Sequence, residues 1–90
     1  MDKEQIIRLI KKTLRVYNIK DARVFGSFAK GGKFNDIDII IDPPKGFSLL
    51  DLSALANKLE ELTGFKIDIV TPRGLSPHVK EYIEKSSVSL

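Results

Sequence analysis

Asp36 and Asp38 stand one residue apart in the run Asp36-Ile37-Asp38-Ile39-Ile40-Ile41, and Asp68 sits similarly in Lys66-Ile67-Asp68-Ile69-Val70. Successive side chains of a strand point to opposite faces, so an extended backbone groups Asp36 with Asp38, away from Ile37, Ile39 and Ile41. Like charges on one face repel, and a fold tolerates that only in water or beside a cation. If the isoleucines of both runs face the helices, Asp36, Asp38 and Asp68 all emerge on the open face. They then converge provided only that the two strands are neighbours. Carboxylates shared by two metal ions roughly 3.5–4 Å apart could activate an attacking hydroxyl and draw charge from a triphosphate. In that arrangement Asp36 and Asp38 ligate both ions, while Asp68 completes one site or, as a base, receives the nucleophile's proton. Each aspartate also has a plainer reading, as a charge on a half-solvated strand face.

Gly26-Ser27 follows directly on the apolar pair Val24-Phe25, and a second glycine-rich turn comes at Gly31-Gly32. Small residues let a backbone approach phosphate closely and offer it N–H donors. The plainer alternative is a turn. A phosphate-sized cradle ahead of paired carboxylates is the equipment for handling a nucleoside triphosphate. Composition narrows the metal. The chain has no cysteine and one histidine, which excludes disulfides, thiolate sites and imidazole clusters. A metal here must be held by oxygen, which points to Mg²⁺ or Mn²⁺.

Ninety residues make one domain, 1–90, and a chain of this size buries only roughly 60–65% of its unfolded surface. The net charge of +3 fits an anionic ligand and fits an ordinary soluble surface equally well. No apolar run approaches the ~18 residues that span a bilayer, and the polar start Asp2-Lys3-Glu4-Gln5 is unlike a signal peptide. A cytoplasmic protein without membrane contact is expected.

The elements that must position these residues follow from periodicity and punctuation. Met1 to Tyr17 reads as a helix with Asp2 and Gln5 as a capping box and Met1 stapled to Ile6. Its stripe is Ile6, Ile7, Ile10, Leu14 and Tyr17; its basic face, with Lys3, Arg8, Lys11, Lys12 and Arg15, either is solvated or touches nucleic acid. Strands follow at Ala22–Phe25 and Asp36–Ile41, with a brief helical segment Ser27–Lys30 between them. Ser48 opens a second long helix with the stripe Leu52, Leu55, Leu59 and Leu62, ended by Gly64. Phe65–Val70 is a third strand, Thr71–Gly74 a loop, and Ser76-Pro77 starts a last helix anchored by Val79, Tyr82 and Ile83. The tail Ser86-Ser87-Val88-Ser89-Leu90 is expected to fray. His78 reads as an idle helix-start residue, and Tyr17 and Tyr82 as amphipathic core residues. The sum is an α/β fold, a sheet of about three strands with helices mainly on one face.

The order strand, Gly26-Ser27 turn, Asp36-x-Asp38 strand, helix and Asp68 strand resembles the minimal nucleotidyltransferases of the DNA polymerase β superfamily. The likeness covers nearly the whole chain and implies the polymerase-β-like palm fold with a mixed sheet. It implies that Gly26 and Ser27 bind the triphosphate and that Asp36 and Asp38, with Asp68 as third carboxylate, bind Mg²⁺ or Mn²⁺. Lys30 stands where the family usually carries an arginine, which implies a phosphate contact by a point charge rather than a fork. The chain departs from the family in two places: only eight residues separate Ser27 from Asp36, a shortened loop, and Asn35 stands where a serine is usual. The resemblance further implies AMP transfer from ATP to a hydroxyl, in single-domain members a tyrosine of a helical HEPN-domain toxin, with the chain as antitoxin. The competing expectation is a non-catalytic module that neutralises its partner by complex formation. A homo-oligomer is left open, and nucleic acid is not the expected partner.

Overall fold

A computed structural model describes residues 2–31 and 33–90. The Met1 half of the expected staple and Gly32 of the expected turn lie outside the described residues. Helix α1 spans Lys3–Val16, and its capping box forms as the sequence spells it: Gln5 N–H donates to Asp2 Oδ1 at 2.9 Å, and Asp2 N–H to Gln5 Oε1 at 3.0 Å. Such a cap contributes about 1 kcal/mol. Strand β1 is Asp21–Phe25, a short helix α2 is Gly26–Lys30, and β2 is Asp36–Asp42. Helix α3, Leu49–Thr63, repeats the capping device with Ser48 and Asp51 and ends on Gly64 at φ 78°. Strand β3 is Lys66–Val70, the expected loop tightens into a 3₁₀ turn at Pro72–Gly74, and α4 is Pro77–Ser86.

The sheet order is β3-β2-β1 and then a fourth strand, β4, at Val88–Ser89. β2 runs antiparallel to β1 and parallel to β3, so the sheet is mixed, and α3 is the crossover that a parallel pair requires. Ile6, Ile10 and Leu14 of α1 and Leu55 and Leu59 of α3 cover one face, burying Val24, Ile37, Ile39, Ile41 and Ile67 beneath them. Burial along β2 alternates as expected through Asp36–Ile39 and then breaks, because Ile40 is buried as well. It points to the opposite face, into a cleft shared with Pro72 and with Lys80 and Ile83 of α4. The two faces of the sheet therefore differ: α1 and α3 cover one fully, and α4 covers the far end of the other. The near end, where Asp36 and Asp38 project, stays open.

Four expectations are corrected. The tail does not fray: β4 pairs with β1, Arg23 Nε donates to Ser87 Oγ, and Leu90 N–H donates to the Ala22 carbonyl at 3.0 Å. Leu62 lies at the rim of α3, 36% exposed, because the helix turns Thr63 inward, where its hydroxyl donates to the Leu59 carbonyl at 2.7 Å. Of the trio expected to anchor α4, only Ile83 is buried. Val79 and Tyr82 are 45% and 60% exposed, since a helix resting on the end of a sheet buries one narrow stripe, so Tyr82 is no core residue. Tyr17 is half-buried and packs against the core as expected. Among the described residues, no helix is long and apolar enough to cross a membrane.

Candidate functional site

The sheet register assembles the site. Phe25, the last residue of β1, lies opposite Asp38, and Asp38 lies in register with Asp68 on β3. Asp36 pairs with Lys66 one step toward the start of both strands. Because alternation sends Ile37, Ile39 and Ile67 into the core, Asp36, Asp38 and Asp68 share the open face, Asp38 half-buried and the others exposed. Neighbouring strands place Cβ atoms about 4.5–5.5 Å apart, within reach for two carboxyl groups. The Asp38 carboxyl is held above the usual carboxylate range, first by burial, then by the negative charges of Asp68 and Asp36.

Among the described residues, no basic side chain forms an ion pair with Asp36, Asp38 or Asp68. The ion pair found among the described residues is Glu81–Lys85 on α4, at 3.0 Å, away from the three aspartates. Nor, among the described residues, are three acidic or histidine side chains drawn into a finished metal cage. What the structure brings together is the Asp38–Asp68 pair, with Asp36 acting on it through charge. The donor set is all carboxylate oxygen, on the open face of the sheet. It fits a hard divalent cation such as Mg²⁺ or Mn²⁺.

Gly26 opens α2 at φ +71°, directly beside Asp38. Ser27 and Lys30 are exposed on that five-residue helix, and the structure records no contact from either to the aspartates. His78 is exposed at the start of α4, as expected of an idle residue. Sequence reasoning missed two features. One is the proximity of Gly26 to Asp38, which follows only once the register shows that β1 ends opposite Asp38. The other is an aromatic clamp on the shortened loop. The Phe34 ring meets Phe28 edge-on at 4.6 Å between centroids and Phe65 at 4.9 Å, fixing the chain two residues before Asp36. The three phenylalanines are scattered in sequence, and no periodicity linked them.

Comparison with known proteins shows the family and the fold. Residues 6–90 match the family model described as a nucleotidyltransferase domain. A Methanocaldococcus jannaschii protein provisionally named a protein adenylyltransferase is 38% identical over 89 residues, 94% of this chain and 91% of the relative. The protein adenylyltransferase MntA of Thermococcus cleftensis is 31% identical over 88 residues, 94% of this chain and 89% of its own. A solved structure provisionally named a minimal nucleotidyltransferase superposes with a TM-score of 0.85 at 33% identity, covering 100% of this chain and 97% of the other. A chain from the complex of tri-AMPylated Shewanella oneidensis HEPN toxin with MNT antitoxin shares the fold, with a TM-score of 0.79 at 21% identity, over 98% of this chain and 71% of that one.

Proposed function

This chain belongs to the minimal nucleotidyltransferase family of the DNA polymerase β superfamily, and from that premise we propose that it transfers AMP from ATP to a hydroxyl of a protein partner. The acceptor we infer is a tyrosine of a HEPN-type toxin, with the chain acting as its antitoxin. The observation that carries the reading is the in-register Asp38–Asp68 pair on neighbouring parallel strands, with Asp36 on the same face. The relatives named as protein adenylyltransferases support the group transferred, and the MNT–HEPN complex of the same fold supports the kind of partner.

Asp36, Asp38 and Asp68 would hold the divalent cation, Mg²⁺ or Mn²⁺. Such a cation supplies charge neutralisation at the triphosphate and a lowered pKa for the acceptor hydroxyl. In the transfer, the acceptor oxygen bonds to the α-phosphorus, the bond from that phosphorus to the bridging oxygen breaks, and pyrophosphate departs with the electron pair. The hydroxyl proton passes to the carboxylate pair, Asp68 being the more exposed member and open to the acceptor. Gly26 and Ser27 present backbone and hydroxyl donors to the triphosphate, and Lys30, one helical turn on, adds a positive charge. The open near end of the sheet leaves room for both substrates on one face.

The test is incubation with labelled ATP, Mg²⁺ and a HEPN-domain protein encoded beside this chain. A mass gain of one AMP on that protein is the expected result. A tight complex with no mark, over several nucleotides and both metals, would replace this reading with the non-catalytic binding module.

A further inference from the structure

The pairing of Phe25 with Asp38 makes Gly26 leave β1 alongside the Asp38 carboxylate. A Cβ placed on Gly26 would overlap Asp38 Oδ2 and come within 3.5 Å of its Cγ. Three other described glycines share the left-handed backbone, Gly31 at φ +83°, Gly46 at +86° and Gly64 at +78°. A Cβ on Gly31 meets Lys3 Nζ at 3.9 Å, an ordinary contact, and on Gly46 or Gly64 it meets nothing within 4 Å. Backbone strain is therefore common to all of them, whereas the collision with a carboxylate belongs to Gly26. On its other side Asp38 faces Asp68 across the parallel pair. The carboxylate is thus bounded by a glycine on one side and by a like charge on the other. A side chain at position 26 has to push it toward Asp68 or swing it off its rotamer.

We propose that Gly26 is a positioning residue for Asp38: the volume its missing side chain leaves free is the volume the carboxylate occupies. Glycine is required here by ligand placement, independently of any approach of phosphate to the turn. The proposal deepens the transferase reading and rests on it for its functional meaning, because Asp38 matters there as a metal ligand.

The experiment is a double-substitution cycle in urea without metal or nucleotide, using Gly26→Ala, Asp38→Ala and the two combined, with Gly64→Ala as the control for backbone strain. Gly26→Ala is expected to lower the folding equilibrium constant about tenfold more than Gly64→Ala does, the size of a coupling between groups in contact. That excess is expected to vanish when Asp38 is alanine. In ¹³C spectra the carboxyl resonance of Asp38 or Asp68 should move in Gly26→Ala and stay in place in Gly64→Ala, a response that lost stability alone would not produce. Equal costs for the two glycine substitutions, or an excess that persists without the Asp38 carboxylate, overturns the proposal. Should Gly26→Ala fail to fold, the combined variant decides: recovery of folding supports the proposal and continued unfolding overturns it. Since no nucleotide enters the cycle, a failed AMP-transfer assay would sink the proposed function and leave this result standing, and an additive cycle would do the reverse.

Discussion

Replacing Asp38 by asparagine should make the metal-free protein more stable, although it removes a charge from the proposed active site. Asparagine keeps the shape of aspartate, and its amide can donate to the Asp68 carboxylate, which lies in register on the next strand. What disappears is the burden that raises the Asp38 pKa: burial of a carboxylate, then the charges of Asp68 and Asp36. Like charges on neighbouring strands destabilise by roughly 0.2–1 kcal/mol per pair, the lower part of the range applying where solvent screens exposed partners such as these. Asp68 across the strands and Asp36 two residues away along β2 together cost about 0.5 kcal/mol at that lower end, which for a domain of this size corresponds to roughly 2–4 °C in melting temperature. The pH dependence follows from the direction of the shift. A carboxyl whose folded pKa lies above its unfolded value favours the native state in acid and loses that contribution as pH rises through the folded pKa. The asparagine variant should therefore match wild type below the ordinary carboxylate range, lead it increasingly as pH rises through the raised pKa of Asp38, and hold a constant lead above it. Adding Mg²⁺ and ATP should reverse the order, because a ligand selective for the native state stabilises only the protein that binds it. Thermal melts by circular dichroism across pH, with and without Mg²⁺–ATP, read all of this. An asparagine variant less stable than wild type at neutral pH without metal, or a difference that ignores pH, would refute the account of strained carboxylates.

Other expectations follow from single residues. Asp68→Asn should abolish AMP transfer while ATP binding, measured by calorimetry, changes by less than about tenfold, since ground-state contacts are shared with Gly26, Ser27 and Asp36; retained turnover would remove Asp68 from the reaction. Ile83→Ala should cost about 2–4 kcal/mol in chemical denaturation and Tyr82→Ala less than about 0.5 kcal/mol, following their opposite burial. Removing residues 88–90 should expose the edge of β1 that β4 covers, visible as faster amide exchange at Ala22 and Val24 with the Asp38–Asp68 pair untouched.

The aspartates and their common face were legible because strand alternation is a strict rule and the isoleucines left one orientation open. Caps were legible for the same reason: Asp2 with Gln5 and Ser48 with Asp51 are local chemistry, complete within four residues. What escaped is long-range. Val88 and Ser89 look like a frayed end until Arg23, 64 residues away, is seen to donate to Ser87. Tyr82 and Val79 have the spacing of core residues, but periodicity cannot tell how wide a stripe its partner surface will cover. Phe34 holds the shortened loop through Phe28 and Phe65, an arrangement that exists only once α2, β2 and β3 meet. The contact of Gly26 with Asp38 needed only the register of β1 against β2, which a hydrophobic pattern fixes no more closely than in steps of two residues.

The place of β3 at the border of the sheet has a consequence for solubility. A border strand offers unpaired N–H and C=O groups to any other chain, and proteins blunt such edges with charge or by occupying the donors. Here the Ile67 N–H is taken by Glu60 Oε2 at 3.1 Å, and the exposed side chains along the strand are Lys66 and Asp68. The proposed base therefore also guards against intermolecular strand addition. A substitution that silences it, such as Asp68→Asn, removes one of the charges that keep copies of this chain apart, so preparations of an inactive variant should self-associate at concentrations where the wild type stays dispersed.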